Sequence, residues 1–374
     1  MSKDMGKFKI IGIIVALVVV AVIVVVAIRP TEDVAPEQPA PVAQQPVAQQ
    51  PVAQPVTPQP DPLRDGESEV IRMGQGHSDK HGSFQAFVKF EEIVERETGG
   101  RIDVQTFHSG QLGDDASAIA ALQAGTQEVT FPSTGGVSRF VPGMFVFDLP
   151  FLFPGDFELI DSILGGPFGE YMLAKFPEHG LIGLGFGENG FRNLTNNARE
   201  VKSVADISGL KIRTMQNEIH LALWAKLGAM PAPLPFSEVF SALQTGVFDG
   251  QENPVSAIYF DRFFEVQRYV TVSQHVYSPF VLLMSEIFYE NSNPEEQQLF
   301  REAAKEALAH QKNIIRDDNV RLLENIAAAG VTVTHLTPEA REEFVNATMP
   351  LYDQFRERIG GELLDKLLQE LGRK

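Results

Sequence analysis

The chain has 374 residues, 44% of them hydrophobic, and a formal net charge of −18. That length supports a sizeable core and two domains, while the acidity argues against a protein that tracks nucleic-acid phosphates. Cysteine is absent, which removes disulfides, thiolate metal sites, a cysteine nucleophile and a lipidated-cysteine anchor together.

Residues 10–28 form a run of 19 apolar residues, about 28 Å long as a helix against a hydrocarbon core of about 30 Å. Lys3, Lys7 and Lys9 precede the run and Arg29 follows it, so the positive-inside bias puts the N-terminus in the cytoplasm and the rest outside. A cleaved signal peptide is the competing reading. The run exceeds the usual apolar region of such peptides, and no small-x-small site precedes Arg29-Pro30, so residues 1–29 are expected to be an uncleaved, single-pass transmembrane helix and membrane anchor. Residues 30–66 are rich in Pro, Gln, Ala and Val, with Pro41-Val42-Ala43-Gln44-Gln45 repeated from Pro46. This composition buries too little apolar surface to offset its ordering entropy, so a disordered, extended linker is expected.

The folded part, residues 67–374, begins with a strand over 69–74, a helix over 83–98 stopped by Gly99-Gly100, and a strand over 101–107. This order predicts a crossover unit in a parallel sheet. A helix over 116–124 and a strand over 128–132 follow. The aromatic stretch 140–147 then leads into a loop, and a strand from residue 181 leaves the first lobe. Gly185-Phe186-Gly187-Glu188-Asn189-Gly190 matches a dinucleotide fingerprint, but no helix follows it to receive a pyrophosphate. His77 and His81 have the spacing of a metal pair, yet no glutamate lies at the HExxH position, and Gly76 and Gly82 predict a loop there rather than a helix. No nucleophile elbow is present either. No cofactor, metal or catalytic residue is therefore expected.

Residues 209–253 carry the densest pattern. A strand over 209–214 delivers Arg213 from its end, and a helix over 217–227 follows. Pro231, Pro233 and Pro235 then hold an extended corner before Phe236. Ser237 is expected to cap a helix that reaches Thr245 and stops at Gly246. A strand from Phe248 leaves through the polar residues Asp249-Gly250-Gln251-Glu252-Asn253. Strands over 268–273 and 280–285 follow, with Gln274-His275-Val276-Tyr277 between them. A helix over 294–329 opens on Pro294 with Glu295 and Glu296 in its first turn, and Gly330 ends it. A strand over 331–335 and helices from Pro338 and Gly361 complete the chain.

Lys211-Ile212-Arg213, Leu227-Gly228-Ala229, Pro235-Phe236-Ser237-Glu238-Val239-Phe240 and Ala242-Leu243-Gln244-Thr245-Gly246, running into Asp249-Gly250-Gln251-Glu252-Asn253-Pro254, resemble the DctP-like solute-binding proteins of tripartite ATP-independent periplasmic (TRAP) transporters. Gly99-Gly100-Arg101-Ile102, Gln111-Leu112-Gly113-Asp114-Asp115 and Asp148-Leu149-Pro150-Phe151 fit as well, so the resemblance runs from Glu69 to the C-terminus. It implies an α/β, two-lobe periplasmic-binding-protein fold with hinge strands and a long helix crossing both lobes. Lobe I would comprise about residues 67–190 and 279–318, and lobe II about 191–278 and 319–374. It also implies a non-enzymatic, extracytoplasmic protein that captures a small organic acid (C4-dicarboxylate, keto acid or sugar acid) by lobe closure and presents it to TRAP permease subunits. A ligand-sensing co-receptor for a membrane signalling kinase would use the same pocket and is the alternative.

A carboxylate leaving water needs a charged donor of matching geometry, and arginine supplies a planar two-bond fork that stays protonated. The resemblance assigns the carboxylate clamp to Arg213 and a second arginine to Arg192. For both, a surface position or a structural ion pair is the competing reading. It assigns Asn253 to ligand contact, against a role in ordering the loop at Pro254, and Phe236 to an aromatic wall, against plain core. Gln216 is a candidate hydroxyl reader. His77, Asp115 and Ser133 follow strands whose carboxyl ends line the crevice of an open parallel sheet, so they are expected in the pocket wall. Some sialic-acid-binding members carry glutamate at the place of Ser133 and asparagine at that of Gly74, which argues against that ligand here.

Overall fold

The computed structural model describes residues 69–373. The apolar run 10–28 and the linker lie outside them, and among the described residues no helix is long and apolar enough to cross a membrane. The strands in chain order are β1 (Glu69–Gly74), β2 (Ile102–Phe107), β3 (Val129–Thr130), β4 (Leu181–Gly187), β5 (Phe191–Asn196), β6 (Lys211–Thr214), β7 (Met230–Pro233), β8 (Gly250–Pro254), β9 (Tyr269–Tyr277), β10 (Phe280–Ser285) and β11 (Thr332–His335). They form two sheets, ordered β2-β1-β3-β10-β4 and β11-β9-β5-β8-β6-β7.

The first sheet grows from the predicted crossover unit. Ile71 and Met73 of β1 and Ile102 and Val104 of β2 alternate into the core. The helix Gly82–Glu97 buries Ala86, Phe87, Phe90, Ile93 and Val94 on one stripe, as a period of 3.6 requires. It ends where Gly99 and Gly100 turn left-handed, with φ of 60° and 80°. β1, β2 and β3 are parallel, as expected. The sheet as a whole is mixed, however, because β10 runs antiparallel to both β3 and β4. β10 returns directly from β9 of the other sheet, so its direction is reversed. β4 also corrects the expectation: it closes the edge of the first sheet, and the chain leaves only after Gly187.

In the second sheet, β7 is an edge strand paired parallel to β6. An edge tolerates Pro231 and Pro233 because no further ladder needs their missing N–H groups. Ser237 does not cap a helix. A 3-10 turn over Phe236–Glu238 opens on Pro235 and runs on into the helix Val239–Gln244, without a side-chain cap. β8 enters the helix Val255–Phe260 directly rather than a loop. Residues 274–277 are not a connection but the second half of β9, which continues through Gln274 at φ 46° with a register shift against β5. The stretch after residue 140 forms a 3-10 helix over Pro142–Asp148, and the helices Phe157–Leu164, Pro167–Leu173 and Pro350–Ile359 have no counterpart in the sequence reading.

The long helix Pro294–Ala328 has 35 residues and opens with a reciprocal Asn293–Glu296 capping box. Phe300, Ala303, Ala304, Ala307, Leu308 and Ile315 pack on the first sheet's cluster. Leu322 and Ile326 pack with Val255, Ile258 and Val270 beside the second. The helix therefore crosses both. Gln311 holds the crossing after β4 by accepting from Glu188 N at 3.0 Å and donating to Glu188 O at 2.5 Å. The largest apolar cluster joins Phe145 and Phe147 to Leu223 and Trp224 and to the C-terminal helices through Phe355 and Leu364.

Candidate functional site

A cavity of about 680 Å³, its open mouth included, lies between the two sheets. The turns after β1 and β3 and the start of the helix Asp115–Gln123 wall one side. Strands β5, β6 and β8 wall the other. All eight residues singled out in the sequence line it: Arg213, Arg192, Asn253, Phe236, Gln216, His77, Asp115 and Ser133. Asn189, Arg139 and Met215, which the sequence reading passed over, line it too. Asn189 sits inside the glycine motif set aside as a nucleotide fingerprint, three residues before Arg192 on the same crossing segment, and that proximity was the available signal.

Arg192 is 1% exposed, and its guanidinium is already occupied. Nε donates to Glu252 Oε2 at 2.6 Å, while Nη2 donates to Glu252 Oε1 at 2.9 Å, Glu252 O at 2.6 Å and Asn253 Oδ1 at 3.1 Å. Glu252 also accepts from His275 Nε2 at 3.0 Å and faces His220 Nδ1 at 3.4 Å. Burial works against the Glu252 charge, but Arg192 and then His220 outweigh it and hold the carboxyl well below the usual glutamate range. Burial likewise opposes the His220 charge, yet Glu252 and Asp148 raise its pKa, with Nε2 at 3.2 Å from Asp148 Oδ1. His275 shifts the other way, its burial prevailing over Glu252. The network reaches across to the first half of the chain: Asn217 Nδ2 donates to Asp148 Oδ2 at 2.7 Å and to Gly135 O at 3.0 Å.

Arg213, 2% exposed, is differently placed. Nε and Nη2 both donate to Leu234 O, at 2.9 and 2.6 Å, while Nη1 is buried with no partner. Its carbon end lies 5.9 Å from the Phe236 ring centroid, inside the range of a cation–π contact. Desolvation dominates and pushes its pKa down to about 10, so it remains a cation at neutral pH. Among the described residues no carboxylate comes within salt-bridge distance. A buried, unpaired guanidinium is costly, and an incoming carboxylate removes that cost.

The rest of the wall mixes polar and apolar side chains, and its further charged residues are Asp114, Asp115 and the exposed Arg139. His77 Nδ1 donates to Asp261 Oδ2 at 2.7 Å, and its ring stacks on His81 at 4.2 Å and tilts against Phe236 at 4.6 Å. Ser133 Oγ contacts Met215 Sδ at 3.3 Å. Gln216 accepts from Arg139 Nη1 at the exposed rim. Asp115 is half-buried, and burial raises its pKa against the opposing pull of His77 and Arg213. A Cβ at Gly136 would sit 2.6 Å from Asp115 Oδ2, so glycine there leaves room for the carboxylate in the wall. Among the described residues no cluster of His, Asp and Glu is arranged to hold a metal ion. What the site offers is one buried positive charge without a carboxylate partner, an aromatic face and a set of hydrogen-bonding groups.

The family described as bacterial extracellular solute-binding protein, family 7, matches residues 73–358. The C4-dicarboxylate-binding periplasmic protein DctP of Rhodobacter capsulatus is 34% identical over 282 residues, 74% of this chain and 83% of that one. The sugar acid binding protein of Advenella mimigardefordensis, solved in complex with galactonate, superposes with a TM-score of 0.80 at 38% identity and covers 82% of this chain and 98% of that one. A TRAP periplasmic solute-binding protein of Sulfurospirillum deleyianum with bound succinate gives 0.77 at 31% identity, covering 80% and 98%. With the family matched over residues 73–358 and relatives above 30% identity covered over most of their own length, the chain belongs to the DctP family of TRAP transporter solute-binding proteins.

Proposed function

We propose that the protein captures a small organic acid outside the cytoplasmic membrane, with Arg213 as carboxylate clamp, and delivers it to TRAP permease subunits after the two lobes close. The unpartnered Nη1 of Arg213, buried in the cavity wall, carries this reading. Arg192 acts beside it as a positioning residue, since Glu252 neutralises it and it fixes Asn253 Oδ1. Closure requires open and closed states of similar energy, with the ligand binding the closed one better. Contacts already bridge the halves, such as Ser78 N donating to Asp261 Oδ1 at 2.9 Å. The apolar run 10–28 would tether the folded part to the membrane.

The test is a thermal-shift screen of the full chain against succinate, pyruvate, D-erythronate, D-gluconate and D-galactonate. An acid at 100 times its dissociation constant adds about 2.7 kcal/mol of stability. Small-angle scattering with the responding acid should show a smaller radius of gyration. A melting temperature that no acid moves would sink the reading, and an unchanged radius would remove closure from it.

A further inference from the structure

Resting on that reading, we infer that the ligand is a polyhydroxylated monocarboxylate, a sugar acid, and that hydroxyl-free dicarboxylates are rejected. The warrant is the inventory of hydrogen-bonding groups the cavity leaves unused. On the positive side, among the described residues lining the cavity, Arg213 is the one buried cation without a carboxylate partner. The charge of Arg192 is consumed by Glu252. Arg139 is exposed at the mouth and engaged with Gln216, and a solvent-screened charge of that kind contributes little to a second ion pair. One buried cation suits one carboxylate.

On the accepting side, the Asp115 carboxylate lines the cavity and makes no hydrogen bond or ion pair among the described residues. The Asn189 amide oxygen, buried beside the same cavity, also has no partner. These acceptors need donors, and in a filled cavity from which water is displaced the ligand must bring them. Succinate at neutral pH carries only acceptors. Bound through one end to Arg213, it would leave Asp115 and Asn189 desolvated and set its second carboxylate in a cavity that already holds an unpaired one. A sugar acid presents O–H groups that donate to Asp115 and Asn189, and the same hydroxyl oxygens accept from Gln216 or Ser133. Asp115 thus becomes a specificity-determining residue. Its place in the wall depends on Gly136, where any side chain would meet the carboxylate.

The experiment is calorimetric titration of the full chain, wild type and variants, with D-erythronate, D-gluconate and succinate; the first and last match in carbon number. A site built to hydrogen-bond hydroxyls rejects an analogue lacking them, so one of the two hydroxy acids should bind about 100-fold or more tighter than succinate. Asp115→Asn should lose about tenfold or more on that acid while succinate binding holds or improves, because a repelling carboxylate has gone. Succinate binding as tightly as the better of the two hydroxy acids in the wild type overturns the inference without recourse to any variant. If that happens and Arg213→Ala abolishes binding, the arginine reading stands alone. If folded Arg213→Ala binds like wild type, the arginine reading falls and takes the inference with it. Failure of the wild type to bind either hydroxy acid overturns it as well.

Discussion

Two arginines reach the cavity from strands on either side of β8, and their surroundings are opposite. Behind β5 and β8, Arg192 meets the Glu252 carboxylate and the Asn253 amide, and that carboxylate in turn meets His220 and His275, all buried, so the charge of Arg192 has an answering group. At the β6–β7 edge, Arg213 meets one backbone carbonyl and an aromatic face and keeps a donor in reserve. Burial alone does not separate the two, since both are within 2% of complete. Whether the charge is already answered does. An answered charge builds the scaffold, and on the reading proposed above the unanswered one is left for a ligand.

That contrast breaks first at Glu252. Removing it by Glu252→Ala leaves Arg192 buried without its partner, and breaking one side of a buried pair costs about 3–5 kcal/mol. Chemical denaturation of the ligand-free protein should show this loss, and near-native stability would mean that water replaces the carboxylate. Arg213→Ala should behave in the reverse manner. Stability without ligand stays near native or rises, because an unpaired buried charge is gone, while affinity for the bound acid falls by about 2–5 kcal/mol, roughly 30-fold to several thousand-fold. Arg213→Lys should bind poorly too, since a point charge lacks the fork. Paired melting curves and calorimetry separate these outcomes, and a destabilised Arg213→Ala protein would erase the distinction between the two arginines.

Smaller effects sharpen the comparison. Asn253 accepts from Arg192 and donates to Gln251 Oε1 at 2.5 Å, so it joins the scaffold to the cavity. Asn253→Ala should cost about 1 kcal/mol of ligand affinity, read by the same calorimetry. The acid-sensitive element lies across the cavity. His81 Nδ1 accepts from Ser83 N at 3.1 Å and caps the helix Gly82–Glu97, which requires that nitrogen to be unprotonated. Burial, then the neighbouring His77, lower the His81 pKa well below its ordinary value. With the folded value depressed, its stabilising contribution is whole above about pH 6.5 and fades as pH falls from there through the folded value. Melting temperature should therefore drop on acidification below about pH 6.5. His81→Asn, which keeps a capping oxygen without the titration, should flatten that drop, and an unchanged slope would clear His81 of the role.

The parts legible in the sequence are those that local chemistry dictates. Asn217 caps its helix by accepting from Ile219 N and His220 N, Gly99-Gly100 ends another, and Asn293-Pro294 opens the longest. The wall residues His77, Asp115 and Ser133 were reachable because strand ends in a parallel sheet point loops toward a common crevice, and β1 to β3 are that parallel part. What escaped is long-range. Nothing beside Arg192 marks Glu252 as its partner, 60 positions away, or His275 and His220 as the groups that surround it. Ser237 has the residue type of a cap, but Pro235 begins the turn before a cap is needed. β9 runs on through a left-handed Gln274 with a register shift against β5, and neither feature is written in the residue types of 274–277.

The position of β10 also governs how the protein comes into being. Residues 280–285 form the strand between β3 and β4, so the first sheet stays unfinished until a segment synthesised long after both arrives. Pairings of such sequence separation must close a large loop before any contact rewards it, which slows folding. A nascent chain ending before Phe280 would carry β3 and β4 as two exposed edges, the configuration most prone to pairing with another molecule. Stalled or truncated chains should therefore aggregate through the first sheet. Refolding in which β1–β2 protection against hydrogen exchange precedes that of β4 by a wide margin would be its signature.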